Sequence, residues 1–150
     1  MTEADGVELL LVEDHPQDLE LVLRALRKAG VASQVLVARD GSEALEYVFC
    51  EGPHAARRIT DAPKFILLDL KLPKVDGLEV LKRIKADPRT RTIPVVVLTS
   101  SREPSDIEAS YLLGANCFVV KPMNFERFSE AVRGIVHFWL LLNQAPTMAG

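Results

Sequence analysis

The chain has only two cysteines, Cys50 and Cys117, and three histidines. Neither set shows metal-ligand spacing, and two cysteines make no disulfide framework, so a reducing cytoplasm is the expected setting. Cys117 lies in an apolar run and reads as a small buried hydrophobe. No apolar run approaches the ~18–20 residues that span a bilayer. The opening Met1-Thr2-Glu3-Ala4-Asp5 lacks the basic and apolar regions of a secretion signal. There is no excess of positive charge: the net charge of −3 gives no electrostatic case for direct nucleic-acid binding. No repeat, low-complexity tract or change of composition marks a second domain. A length of 150 residues predicts one domain, with its core over about 7–143 and no output domain behind it. Apolar residues make up 48% of the chain, enough to fill that core.

What is present alternates. Strands are predicted at Val7–Val12, Ser33–Ala38, Lys64–Leu68, Ile93–Leu98 and Cys117–Val120. Helices are predicted at Pro16–Ala29, Ser42–Glu51, Leu78–Lys85, about Ser105–Leu113 and about Asn124–Asn143. Gly30 stops the first helix, and Asp87 before Pro88 stops the third, because a residue preceding proline is pushed out of the α region. Strands one, three and four are unbroken apolar runs, as expected of strands covered on both faces. Five βα units with right-handed crossovers predict a doubly wound parallel sheet with helices on both faces.

In such a sheet all strand C-termini open onto one edge, where ligands bind. Leu9-Leu10-Leu11-Val12 runs into Glu13-Asp14, and Phe65-Ile66-Leu67-Leu68 into Asp69. Val95-Val96-Val97-Leu98 runs into Thr99-Ser100, and Cys117-Phe118-Val119-Val120 into Lys121-Pro122. Glu13, Asp14 and Asp69 would converge, and like charges near 4 Å repel by about 4 kcal/mol at an effective dielectric of 20. A cation must repay that. Carboxylates without histidine or cysteine suit Mg²⁺. Taken alone, Glu13-Asp14 could equally be a helix cap. A phosphoryl group on Asp69 would find the metal, the Thr99 hydroxyl and the Lys121 ammonium as partners for its three oxygens.

Glu13-Asp14, Leu67-Leu68-Asp69, Leu72-Pro73 with Asp76-Gly77, Leu98-Thr99-Ser100, Gly114-Ala115 and Lys121-Pro122 stand as in the receiver domain of two-component response regulators. The resemblance runs from about Glu8 to the last helix. It implies a flavodoxin-like fold with strand order 2-1-3-4-5 and phosphotransfer from the phosphohistidine of a sensor histidine kinase to Asp69. It implies Mg²⁺ held by Asp14, Asp69 and the backbone carbonyl of Lys71, with Glu13 acting through water. It implies a switch pair of Thr99 and Phe118, and a cis peptide bond before Pro122. Lys71 and Ser101 stand where receivers tune hydrolysis of the phosphoaspartate. His15-Pro16, the loop with Pro53-His54 and the final Phe138-Trp139 are similar to single-domain regulators paired with bacterial phytochromes, which points to a bacteriophytochrome kinase as partner.

Such a chain catalyses only its own phosphorylation and dephosphorylation; its output is a protein contact. Phe125, Phe128, Val132, Ile135, Trp139 and Leu142 predict a core-facing seam on the last helix. Val136, Phe138, Leu140 and Leu141 add apolar residues on its other sides. That predicts a homodimer surface of Phe138, Trp139, Leu140 and Leu141. His15 reads as a solvent-facing start of the first helix, and Arg57-Arg58 as a solvated loop face. A phosphorelay intermediate and a non-phosphorylated interaction module remain alternatives. A haloacid-type hydrolase needs a second acid two residues after its nucleophile, where Lys71 stands. A flavodoxin needs a hydroxyl-rich phosphate loop, where Glu13-Asp14-His15-Pro16 stands.

Overall fold

The computed structural model describes residues 7–146. Five parallel strands, β1 (Leu9–Val12), β2 (Val35–Ala38), β3 (Phe65–Leu68), β4 (Val95–Thr99) and β5 (Cys117–Val120), form one sheet in the order β2-β1-β3-β4-β5. The three runs that the sequence leaves unbroken are the three central strands, and every residue in them is buried. The edge strands are only half-buried.

Alternate residues of each strand face opposite layers. Leu10, Val12, Ile66, Leu68, Val95 and Val97 pack beneath helices α2 (Gly41–Val48) and α3 (Gly77–Ala86). Leu9, Leu11, Phe65, Leu67, Val96 and Leu98 pack beneath α1 (Pro16–Lys28) and α5 (Phe125–Val136). Short polar side chains start the helices where orphan N–H groups need acceptors. Asp40 accepts from the Glu43 N–H at 2.8 Å, Asp76 from Glu79 at 3.0 Å, and Asn124 from Arg127 at 3.1 Å. Helix α4 (Pro104–Leu112) is the exception in its packing, burying only Ser110.

The last helix departs from its predicted seam. After Val136 the chain widens into a π-helical turn over His137–Leu142. A π turn takes more residues than an α turn, so each later side chain rotates away from the expected face. Leu140 therefore turns into the core at 4% exposure, beside Trp139, which packs against the same cluster as the seam predicts. Leu142, expected inside, is 57% exposed. Phe125 is also largely exposed, beneath the Arg24 guanidinium. Of the predicted dimer surface, Phe138 and Leu141 remain outside and Trp139 and Leu140 do not.

The long loop after α2 is anchored. Arg57 donates to the Asp61 carbonyl at 2.6 Å and to the Tyr47 carbonyl, and its guanidinium lies 3.7 Å over the Tyr47 ring. It is a half-buried strut, and only Arg58 of the pair is exposed. The planar guanidinium can stack and donate at once, which a solvated reading of two adjacent arginines overlooks. Among the described residues no helix is long and apolar enough to cross a membrane.

Candidate functional site

The four strand ends meet as the alternation predicts. The Asp69 N–H donates to the Val12 carbonyl at 3.1 Å, which seats Asp69 beside Glu13. The Lys121 N–H donates to the Thr99 carbonyl at 2.7 Å, which extends the β4–β5 pairing to the lysine. Two glycines shape the rim. A Cβ on Gly77 would overlap the Asp69 carbonyl and Leu70, and one on Gly41 would overlap the Val75 carbonyl. Only glycine lets α2 and α3 start this close to the loop that follows Asp69.

Lys121 sits at the centre. Its side chain is 6% exposed and donates to Glu13 Oε1 at 2.7 Å, Asp18 Oδ2 at 2.8 Å and Asp69 Oδ2 at 2.9 Å. An ammonium has three protons, and all three are placed. Burial works against the charged lysine, but the bonds it donates to Asp18, Asp69 and Glu13 outweigh it and raise its pKa above the ordinary lysine value. Glu13 moves the other way from a usual carboxylate. Burial first, and then the Asp69 charge, push its pKa up to about 7, against the pull of Lys121. The other Asp69 oxygen accepts from the Lys71 N–H at 3.3 Å.

Glu13, Asp14 and Asp69 each offer a carboxylate oxygen within 4.8 Å of the others. Glu13 and Asp69 are buried and Asp14 is exposed, so the trio opens to solvent on one side. Three hard oxygen donors with an open side match an ion that keeps part of its water shell, as Mg²⁺ does. The residues therefore fit a divalent metal.

Thr99 is fully buried at the end of β4, its Oγ1 accepting from the Ser101 N–H at 3.4 Å. Ser101 in turn donates to Asp106 at 2.6 Å, tying the β4 end to the first turn of α4. Phe118 is half-buried on the sheet face that Thr99 shares, opposite Val97 in register. The peptide bond before Pro122 is trans, not cis as expected; no cis bond occurs among the described residues. Trans is the intrinsically favoured form even before proline. His15 is the N-cap of α1, its Nδ1 accepting from the Asp18 N–H at 3.3 Å, and it faces solvent.

Asp18 escaped the sequence reading, which weighed strand ends and passed over the helix behind them. Its signal was present: it is the acid in the first turn of α1, four residues after Asp14.

Comparison with known proteins agrees with this geometry. Residues 9–133 match the response regulator receiver domain family. Response regulator Rcp1 of Synechocystis is 41% identical over 132 residues, 88% of each chain, and a structure of a Mn²⁺-bound Rcp1 aligns with a TM-score of 0.84 at 40% identity, covering 92% of this chain and 97% of that one. The phosphorylated cyanobacterial phytochrome response regulator RcpA aligns with a TM-score of 0.85 at 43% identity over 92% of this chain and 96% of its own. The bacteriophytochrome response regulator AtBRR is 53% identical over 91% of this chain and 96% of its own, with a TM-score of 0.69. A chain that brings Glu13, Asp14, Asp69, Thr99 and Lys121 to one edge of a 2-1-3-4-5 sheet, and matches that family along most of its length, belongs to the response regulator receiver domain family, close to the cyanobacterial phytochrome response regulators.

Proposed function

We propose that Asp69 accepts a phosphoryl group from the phosphohistidine of a sensor histidine kinase, with Mg²⁺ held by Asp14, Asp69 and the Lys71 carbonyl. The observation that carries this is the Lys121 ammonium 2.9 Å from Asp69 Oδ2, beside an acid trio fit for a divalent ion. An Asp69 carboxylate oxygen forms the new O–P bond as the N–P bond to the kinase histidine breaks. Bound Mg²⁺ supplies charge neutralisation for the oxygens of the group in transfer. Lys121 adds a fixed cation beside the same oxygens. Their low exposure strengthens each of these interactions. The Thr99 hydroxyl stands at the neighbouring strand end as a donor for a phosphoryl oxygen. Its movement toward that oxygen would free space on the face it shares with Phe118, which makes the two a switch pair.

The kinase we propose is a bacteriophytochrome, in keeping with the phytochrome regulators that this chain is similar to. The chain acts in the cytoplasm through protein contacts, with no direct role for nucleic acid. We further propose a homodimer that covers Phe138, Leu141 and Leu142, the exposed apolar end of the last helix.

Intact mass after incubation with acetyl phosphate and Mg²⁺ tests the central reading. One added phosphoryl group in the parent, absent without Mg²⁺ and absent in Asp69→Asn, is expected. If no adduct forms and beryllofluoride does not bind either, the phosphoacceptor reading fails. Sedimentation tests the dimer: a chain that stays monomeric at high micromolar concentration, phosphorylated or not, removes it.

A further inference from the structure

Two of Lys121's three carboxylates, Glu13 and Asp69, also belong to the trio that can hold a metal. The third, Asp18, does not. The ammonium and a divalent ion therefore draw on the same two side chains, and Asp18 is the one partner of Lys121 outside that overlap. We infer that Asp18 is a positioning residue: it holds the Lys121 ammonium to the α1 side of the pocket, so that Glu13 and Asp69 can turn to the metal while the lysine charge stays in place. This rests on the phosphoacceptor reading above.

Three features support it. Asp18 is itself held at the backbone, because its N–H donates to His15 Nδ1 in the first turn of α1. Its Oδ2 is left to face Lys121. The pair joins residues 103 apart in sequence, so the first turn of α1 is fastened to the end of β5 through this contact. The ammonium is also saturated. With three protons on three carboxylates, it can give up Glu13 and Asp69 without leaving the site only if one acceptor remains.

A role through Lys121 differs measurably from a simple loss of negative charge. If Asp18 acts by holding the lysine, removing it leaves the ammonium competing for Glu13 and Asp69, and metal binding weakens. The same substitution should then do little once Lys121 is gone. If Asp18 acts only through its own field, it weakens metal binding equally in both backgrounds. A double-mutant cycle separates the two.

The experiment is calorimetric titration of Mg²⁺ into the full chain and into Asp18→Asn, Lys121→Met, the double variant and Asp14→Ala, each checked for folding by circular dichroism. Should Lys121→Met not fold, Lys121→Gln takes its place. Asp18→Asn is expected to weaken Mg²⁺ affinity about five- to tenfold, the scale of one nearby charge at intermediate dielectric, and less than about twofold without Lys121. Equal weakening in both backgrounds, or no weakening in either, overturns the inference. Asp14→Ala reports on the metal site itself. If it leaves Mg²⁺ affinity unchanged, the metal-dependent reading fails; if it abolishes binding while Asp18→Asn has no effect, only the role of Asp18 fails.

Discussion

Two lysines at opposite edges of the sheet each place all three protons. At the C-terminal edge Lys121 donates to three carboxylates. At the opposite edge Lys85 donates to the Arg91 carbonyl at 3.0 Å, the Ile93 carbonyl at 2.7 Å and the Asn116 side-chain oxygen at 3.0 Å. All six bonds lie between 2.7 and 3.0 Å, but their electrostatics differ. Lys121 is surrounded by more negative charge than it can neutralise and is held protonated. Lys85 has only neutral acceptors, and burial lowers its pKa to about 8. Neutral acceptors serve to join α3, the loop before β4 and the start of β5. An excess of acids leaves the other edge able to take a further cation. Equal geometry thus serves architecture at one edge and chemistry at the other.

The largest expected contrast is in stability. Without metal at pH 7.5, Lys121→Met should cost about 3–5 kcal/mol, because it strands buried carboxylates without their partner. Lys85→Met should cost about 1–3 kcal/mol, the scale of unsatisfied neutral acceptors. Urea unfolding measures both. Mg²⁺ should restore much of the first loss and none of the second; equal losses with equal responses to Mg²⁺ would erase the distinction.

Next in size is the response to pH. The folded pKa of Glu13 is raised above its unfolded value of about 4.5, to about 7. Between these values the folded state binds more protons, so stability without metal should fall as pH rises through that window. The fall should be on the order of 3 kcal/mol. Lys121 stays charged in both states there and adds no slope. The Lys85 edge responds at higher pH and with the opposite sign. Its lowered folded pKa means that the unfolded state holds more protons above about pH 8, so stability should rise there. Melting temperatures across pH 4.5–10 should show the first slope flattened in Glu13→Gln and the second in Lys85→Met.

The smallest effect concerns the exposed member of the acid trio. Asp14→Ala removes one like charge and should raise the metal-free stability by about 1 kcal/mol. A melting temperature equal to or below the parent's would mean that the acids at this edge do not strain the fold.

Much of the fold, and of the Lys121 edge though not the Lys85 edge, was legible in the sequence. Unbroken apolar runs at β1, β3 and β4 marked the central strands, because a strand covered on both faces has no place for alternating polar residues. The residues ending those runs then located the site. Asp18 was hidden because its reach depends on where α1 enters the pocket, a tertiary fact that strand-end reasoning does not contain. Leu140 and Leu142 were misplaced for a different reason. Periodicity was extrapolated at the α-helical repeat through a segment that winds more loosely and that contains no glycine or proline itself. Arg57 was misread because its partners are mainly backbone carbonyls, which carry no sequence signature.

The loose winding at the end of the last helix also makes its length negotiable. A π turn holds a residue more than the α turn it replaces. Losing one residue between His137 and Leu142 could tighten the backbone to an ordinary helix without moving either flank far. The change would nevertheless redistribute Phe138, Trp139, Leu140 and Leu141 between the inside and the outside. Related chains that differ here by a single insertion or deletion could thus keep the same scaffold and the same acid trio while presenting unlike surfaces at this end of the helix.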